Sequence, residues 1–236
     1  MTPLPITLLA AVAALGLVGC NKSQPETSTT SATGASVTAP SPSANNAVAS
    51  HSAYLAAAES FESLTEQAAS ATPEKLTSLV ADAEKVADVV LPVLGAAGKS
   101  ALGSHLSKIR AALRNSDRTA IALAAVEGYR TLVESADETG SNPRAVSLLD
   151  YAGFRYQADL AAWPPRWSDA ASAETFAEVQ WSGIADKVTD TGLKSDFARA
   201  LADMKDAAKS KNTVAAKSVV IRELDLVDKL EQYFAK

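Results

Sequence analysis

One cysteine, two histidines and two methionines in 236 residues leave few thiolate, imidazole or thioether ligands. A lone Cys20 excludes an internal disulfide and any metal site built on two or four thiolates. Lys and Arg number 22 against 27 Asp and Glu, for a net charge of −5. The basic footprint that nucleic acid requires is therefore missing, and no nucleic-acid partner is expected. Phosphate loops, dinucleotide glycine motifs, nucleophile elbows, H-E-x-x-H and C-x-x-C-H are all absent. With no nucleophile–base pair in the sequence, the expectation is a protein that is not an enzyme and carries no cofactor. The longest apolar run, Ile6 to Val18, is broken only by Thr7 and Gly16. It falls short of the roughly 20 residues a membrane-spanning helix needs.

That run instead has the length of a secretory h-region, and Met1 to Gly19 contains no charged side chain. It ends in Leu17-Val18-Gly19-Cys20, which resembles the lipobox of bacterial lipoproteins. The resemblance implies that residues 1–19 are a signal peptide removed before Cys20. It further implies that the Cys20 thiol receives diacylglycerol and that the new amino group is acylated. Two or more acyl chains anchor stably where one does not, so the implied partner is the lipid bilayer. Asn21 follows the cysteine, which is similar to lipoproteins sent to the outer membrane, facing the periplasm.

Residues 20–50 are rich in Ser, Thr, Ala and Pro, with only Lys22 and Glu26 charged. Such a tract cannot bury enough surface to offset its ordering entropy, and reads as a disordered leash. About 30 flexible residues span roughly 30 Å. From Ser52 the pattern turns helical, and the whole reads as an all-α fold of about eight antiparallel helices. The first helix is expected from about Ala53 to Ala71. Thr72-Pro73-Glu74 signals a capped second helix, and Asn142-Pro143 opens a fifth that Pro164-Pro165 stops. Asn212 caps the eighth. The helices divide into a first half, 51–140, and a second, 141–236. An offset of about 94 residues aligns Thr119 with Thr213 and Val126 with Val220, so the halves read as an internal duplication. They form either one bundle or two similar four-helix units. Aromatics concentrate in the second half, where a pocket is expected.

Few residues suggest chemistry. Gly128-Tyr129-Arg130 and Gly153-Phe154-Arg155 flank a turn near Gly140 at similar distances. A glycine inside a helix costs about 1 kcal/mol, so both predict a close contact between the fourth and fifth helices. Around them Glu127, Arg130, Asp150, Tyr151 and Arg155 form either a small-ligand site or a polar layer that fixes register. Arg155 and Asp159 suit a surface i,i+4 pair. A cofactor alternative would hold haem or a metal between helices, with His105 and Met204 as axial ligands. The other histidine, His51, reads as solvated. The H-x-x-E metal motif of imelysin-like proteins is missing. Glu223, Asp225, Asp228 and Glu231 crowd the last helix and read as a solvated face. Trp163-Pro164-Pro165-Arg166-Trp167 reads as a plug at the end of the bundle or a partner-facing corner. The segments Leu148–Arg155 and Glu223–Glu231 resemble uncharacterised helical proteobacterial lipoproteins, a resemblance that implies no activity. The sequence reading is therefore a membrane-tethered extracytoplasmic helical lipoprotein with a binding or scaffold role.

Overall fold

A computed structural model describes residues 44–136 and 142–236, with side chains from Ser52 onward. Among the described residues there are eight α-helices, one short 3-10 turn and no strand. The helices are α1 (Ala44–Gln67), α2 (Pro73–Val90), α3 (Ala96–Arg114) and α4 (Arg118–Ser135), then α5 (Arg144–Ala161), α6 (Trp167–Ile184), α7 (Thr191–Ser210) and α8 (Thr213–Phe234). The all-α fold is as the periodicity predicts. The proposed signal peptide and Cys20 lie outside the described residues, as does the turn at Gly140. The side chain of His51 is likewise outside them.

Capping explains where the helices begin. Thr72 Oγ1 accepts from Lys75 N at 3.2 Å, with Pro73 at the first helical position and Glu74 in the first turn. Asp117, Asp190 and Asn212 accept from Ala120 N, Leu193 N and Ala215 N in the same way. The first helix departs from expectation, because α1 starts at Ala44, inside the stretch assigned to the leash. Extending a helix that tertiary packing has already nucleated costs little, and the alanines at 44, 47 and 49 favour it.

The order of packing gives two rings of four helices. In the first, α1 packs on α2 and α4, and α3 on both α2 and α4; in the second, α5 packs on α6 and α8, and α7 on both α6 and α8. The rings join through α4 and α5, with α1 also touching α5, inside one compact unit. The two rings correspond in backbone detail. Helices α2, α3 and α4 start 94, 95 and 95 residues before α6, α7 and α8. Both third-to-fourth turns carry a left-handed residue, Ser116 (φ 54°) and Lys211 (φ 52°), just before the Asx cap. Their closing bonds also correspond, Asp117 N to Ala112 O at 2.9 Å and Asn212 N to Ala207 O at 3.0 Å.

The two helix-interior glycines do not meet each other as expected. Gly128 on α4 lies against Phe61 of α1, where an added Cβ would come 2.5 Å from Phe61 Cδ1. Gly153 on α5 lies against α8, where a Cβ would come 2.6 Å from Leu224 Cδ2. Equal distance from a turn gave similar height but did not fix which neighbour each glycine faces. Because the Phe61 ring is fully buried and cannot swing aside, Gly128→Ala should destabilise by about 1–3 kcal/mol despite alanine's better propensity. Chemical denaturation would show a lower midpoint with an unchanged slope; a raised midpoint would contradict the packing.

Candidate functional site

Two features meet at the seam where α4 joins α5, and they divide the residues singled out from sequence. The first is a chain of charges on the α3 side. Arg155 Nη1 donates to Glu127 Oε1, and Tyr151 OH donates to the same oxygen at 3.0 Å. Arg155 Nε also donates to Asp159 Oδ2 at 2.9 Å. Arg166 extends the chain, 3.5 Å from Asp159 Oδ1 and paired with Asp169. Asp159 is fully buried, so the expected surface pair with Arg155 is in fact interior. Arg130 stands apart: it pairs with Glu134 and lies over the Tyr151 and Phe176 rings, at 5.2 and 4.9 Å from their centroids. An open cleft of about 470 Å³ runs beside the chain, lined by His105, Lys108, Glu127, Arg155 and Arg166 among others. Every carboxylate in the chain has a guanidinium beside it, so the cleft wall is largely self-neutralised. Such a network fixes register between helices.

Asp150 is not in that layer. Consecutive residues on a helix point about 100° apart, so with Tyr151 and Arg155 turned toward Glu127, Asp150 turns toward α1 and α8. There it meets the second feature. Tyr129 OH reaches Asp150 Oδ2 at a long 3.4 Å. Burial, and then the charges of Glu62, Glu231 and Asp228, push the Asp150 carboxyl well above its ordinary range. Beside it Glu223 of α8 is 0% exposed, and neither carboxylate oxygen has a hydrogen-bond partner. Burial, with a further push from Asp150, drives its pKa well up. Burial and then Glu66 raise Glu62 on α1 to about 7. The last-helix carboxylates are thus not a uniformly solvated face, since Glu223 sits inside while Asp225 and Asp228 are exposed.

Elsewhere along the same seam, lined by none of Asp150, Glu223 and Glu62, lies a groove of about 280 Å³. Its walls are α1 and the turn after it, through Thr65, Glu66 and Ala69, and α8, through Lys217, Val220 and Ile221. Its floor is α5, through Phe154, Gln157, Ala158 and Ala161, with Ala122 of α4. A pocket is expected within the second half; this groove and the α3 cleft instead draw their linings from both halves, and a further cleft of about 480 Å³ lies between α1 and α2. His105 and Met204 are brought into different rings: His105 lines the α3 cleft, and Met204 is buried in the second core with its carbonyl accepting from Tyr156 OH at 3.0 Å. Trp167 packs against the core, Trp163 is 95% exposed, and Arg166 is spent on ion pairs rather than on either Trp ring.

The residues that sequence reasoning missed are on α1. Glu59, Glu62 and Glu66 recur at steps of three and four, one helix face displaced from the buried Ala57, Phe61 and Leu64. That stripe was readable; its neighbour was not. Among the described residues no group of three or more His, Cys, Asp or Glu is arranged to hold a metal ion, and no helix is long and apolar enough to cross a membrane.

The class the fold defines is an all-α protein of two four-helix rings joined along one seam. Comparison with family models, with curated proteins and with solved structures finds no match to this chain.

Proposed function

We propose that this chain is a lipid-anchored extracytoplasmic binding protein, tethered through Cys20 and carrying its ligand site at the seam between the two rings. The lipobox-like Leu17-Val18-Gly19-Cys20 supports the anchor. The observation that carries the binding role is Glu223, a fully buried carboxyl group without a partner. Buried polar groups are as a rule hydrogen-bonded, and an unpaired one costs about 1–3 kcal/mol. A helix contact needs no such group, and the neighbouring positions Val219, Leu226 and Val227 show that apolar residues fill α8 without difficulty. A site built for a ligand gives the cost a use. No step of bond making or breaking enters this reading.

The anchor is tested by fractionation. Cys20→Ser should leave the membrane fraction or accumulate unprocessed, whereas mature-size protein fully retained in membranes would contradict the tether. The binding role is tested by native mass spectrometry of protein purified gently from its own host. A retained small molecule is expected, and a bare polypeptide mass throughout would count against it.

A further inference from the structure

The groove between α1 and α8 sets two charges of opposite sign over an apolar floor. Its charged lining residues are Glu66, on the α1 wall, and Lys217, on the α8 wall. Gln157 stands between the walls on the floor of α5. Among the described hydrogen bonds and ion pairs none involves these three side chains, whereas Arg155 and Arg166 of the α3 cleft and Lys205 of the second ring are each held by a carboxylate. Contacts between helices set their levels. Gly153 lies against Leu224, and α5 and α8 run antiparallel, so Gln157 is level with Val220 and Lys217 stands about one turn beyond it, toward Ala161. Gly128 against Phe61, and Tyr129 against Asp150, carry the register through α4 to α1 and bring Glu66 level with Gln157. The polar groups therefore gather toward Ala161. The other end, at Phe154, is apolar, with Val220 and Ile221 beside it and the small side chains of Ala122 and Ala158 leaving room on the floor.

We infer that this groove binds an α-amino acid with a large apolar side chain, its ammonium at Glu66, its carboxylate at Lys217 and its side chain laid against Phe154, Val220 and Ile221. The inference rests on the binding role proposed above, places it at the groove and names the ligand class. Glu223 stands one turn along α8 from Val220 and is a neighbour of the site, not part of its lining. Opposite charges on facing walls match a zwitterion; a fatty acid would leave Glu66 unmatched, and an amine would leave Lys217 so. The spare Gln157 amide offers an acceptor and a donor to the same two groups. From Phe154 to Ala161 is seven residues of helix, about 10 Å. A volume of about 280 Å³ lies at the lower edge of the roughly 300–1,000 Å³ usual for ligand pockets. That is space for one such molecule, not for a two-chain lipid or a helical peptide. The other clefts lack the combination. The charges of the α3 cleft are largely paired, and the cleft between α1 and α2 sets Glu59, Lys75, Asp82 and Lys85 around only Leu79 and Val86.

The test is calorimetric titration of the full chain with L-phenylalanine at about pH 8. The controls are 3-phenylpropionate, which lacks the ammonium, phenethylamine, which lacks the carboxylate, and L-glutamine, which lacks the apolar side chain. Saturable phenylalanine binding is expected, at least about tenfold stronger than that of any control. Substitution then separates the two charges. Lys217→Gln should weaken phenylalanine about tenfold or more and leave phenethylamine within about twofold. Glu66→Gln should weaken phenylalanine likewise and leave 3-phenylpropionate within about twofold. Both side chains are exposed, so both variants should keep their helical circular dichroism and melt no lower than the parent. A control bound as tightly as phenylalanine, or phenylalanine binding untouched by the two substitutions, would overturn the inference. If phenylalanine fails to bind while protein from its host retains a different compound, the ligand class falls and the binding role stands; a bare polypeptide mass as well removes both.

Discussion

Replacing Glu223 by methionine should make the protein more stable, by about 1–4 kcal/mol near pH 8. Methionine is close in length and volume, and its soft side chain fits an irregular space. The gain has two sources. One is the unpartnered pair of oxygens in a site with no exposure to water. The other is linkage. The folded chain holds the Glu223 proton well above the ordinary carboxyl value of 4.5, whereas the unfolded chain releases it near that value. Above pH 4.5 the unfolded state is therefore favoured by about 1.4 kcal/mol per pH unit until the folded group also ionises. The advantage of Glu223→Met should grow with pH and shrink toward its packing component near pH 4. Urea unfolding of both proteins at pH 4 and pH 8 checks this. A variant that is less stable at pH 8 would mean that Glu223 has a favourable partner, and the argument for a binding site would lose its support.

The second large effect is the pH dependence of the parent protein. Burial and then Glu66 raise Glu62 to about 7, and burial and then Glu178 raise Glu174, buried in the second ring, to about 7 against the pull of Lys205. Burial also raises Glu66, Glu231, Asp159, Asp150 and Glu223. A carboxyl whose folded value is raised binds its proton more tightly folded than unfolded. Its contribution is therefore most favourable below about 4.5 and is lost as pH climbs toward 7. Glu74 and Glu178 are lowered and act in the opposite sense, but they are surface groups at a helix cap and a lysine pair. The melting temperature should therefore rise on acidification, by roughly 5–10 °C between pH 8 and pH 5, at about 2–4 °C per kcal/mol for a domain of this size. A melting temperature that is flat or falls over that window would place the seam carboxyls in ordinary, paired surroundings.

Both effects draw on the seam, the part of the fold least legible in the sequence. Helix boundaries could be read because they depend on neighbours within a turn. Thr72-Pro73-Glu74, Asp117 and Asn212 each cap a helix by a local hydrogen bond. The correspondence of the two rings could be read too, since a fixed offset relates their Asx caps and left-handed turns. The facing of one helix against another could not. Gly128 and Gly153 were a symmetric pair on paper, yet one meets Phe61 of α1 and the other Glu223 of α8. Glu127, Tyr151 and Arg155 meet because i,i+4 spacing and the α4–α5 hairpin put them on one face. Asp150 was grouped with them by proximity in sequence alone, and a turn of about 100° took it to the other side. The burial of Glu223 had a readable signal, its position within the apolar series Ala216, Val219, Val220, Leu226, Val227 and Leu230. Charge on its neighbours Arg222 and Asp225 masked it.

A sequence that keeps Asp150 and Glu223 at helix contacts gives up stability that apolar residues would supply. Natural proteins accept such losses at functional sites, where activity and stability compete. The same logic makes the α3 cleft the weaker candidate, since its carboxylates Glu127 and Asp159 each have an arginine beside them.

The central claim is that burial makes Asp150 and Glu223 hold their protons well above the ordinary carboxyl range. Carbon-detected nuclear magnetic resonance of the side-chain carboxyls, followed from pH 3 to pH 9, reads this directly. The account requires both resonances to leave the protonated shift only well above the ordinary carboxyl range, with Glu62 titrating near 7. Resonances of Asp150 and Glu223 already at the ionised shift by pH 5 would contradict it.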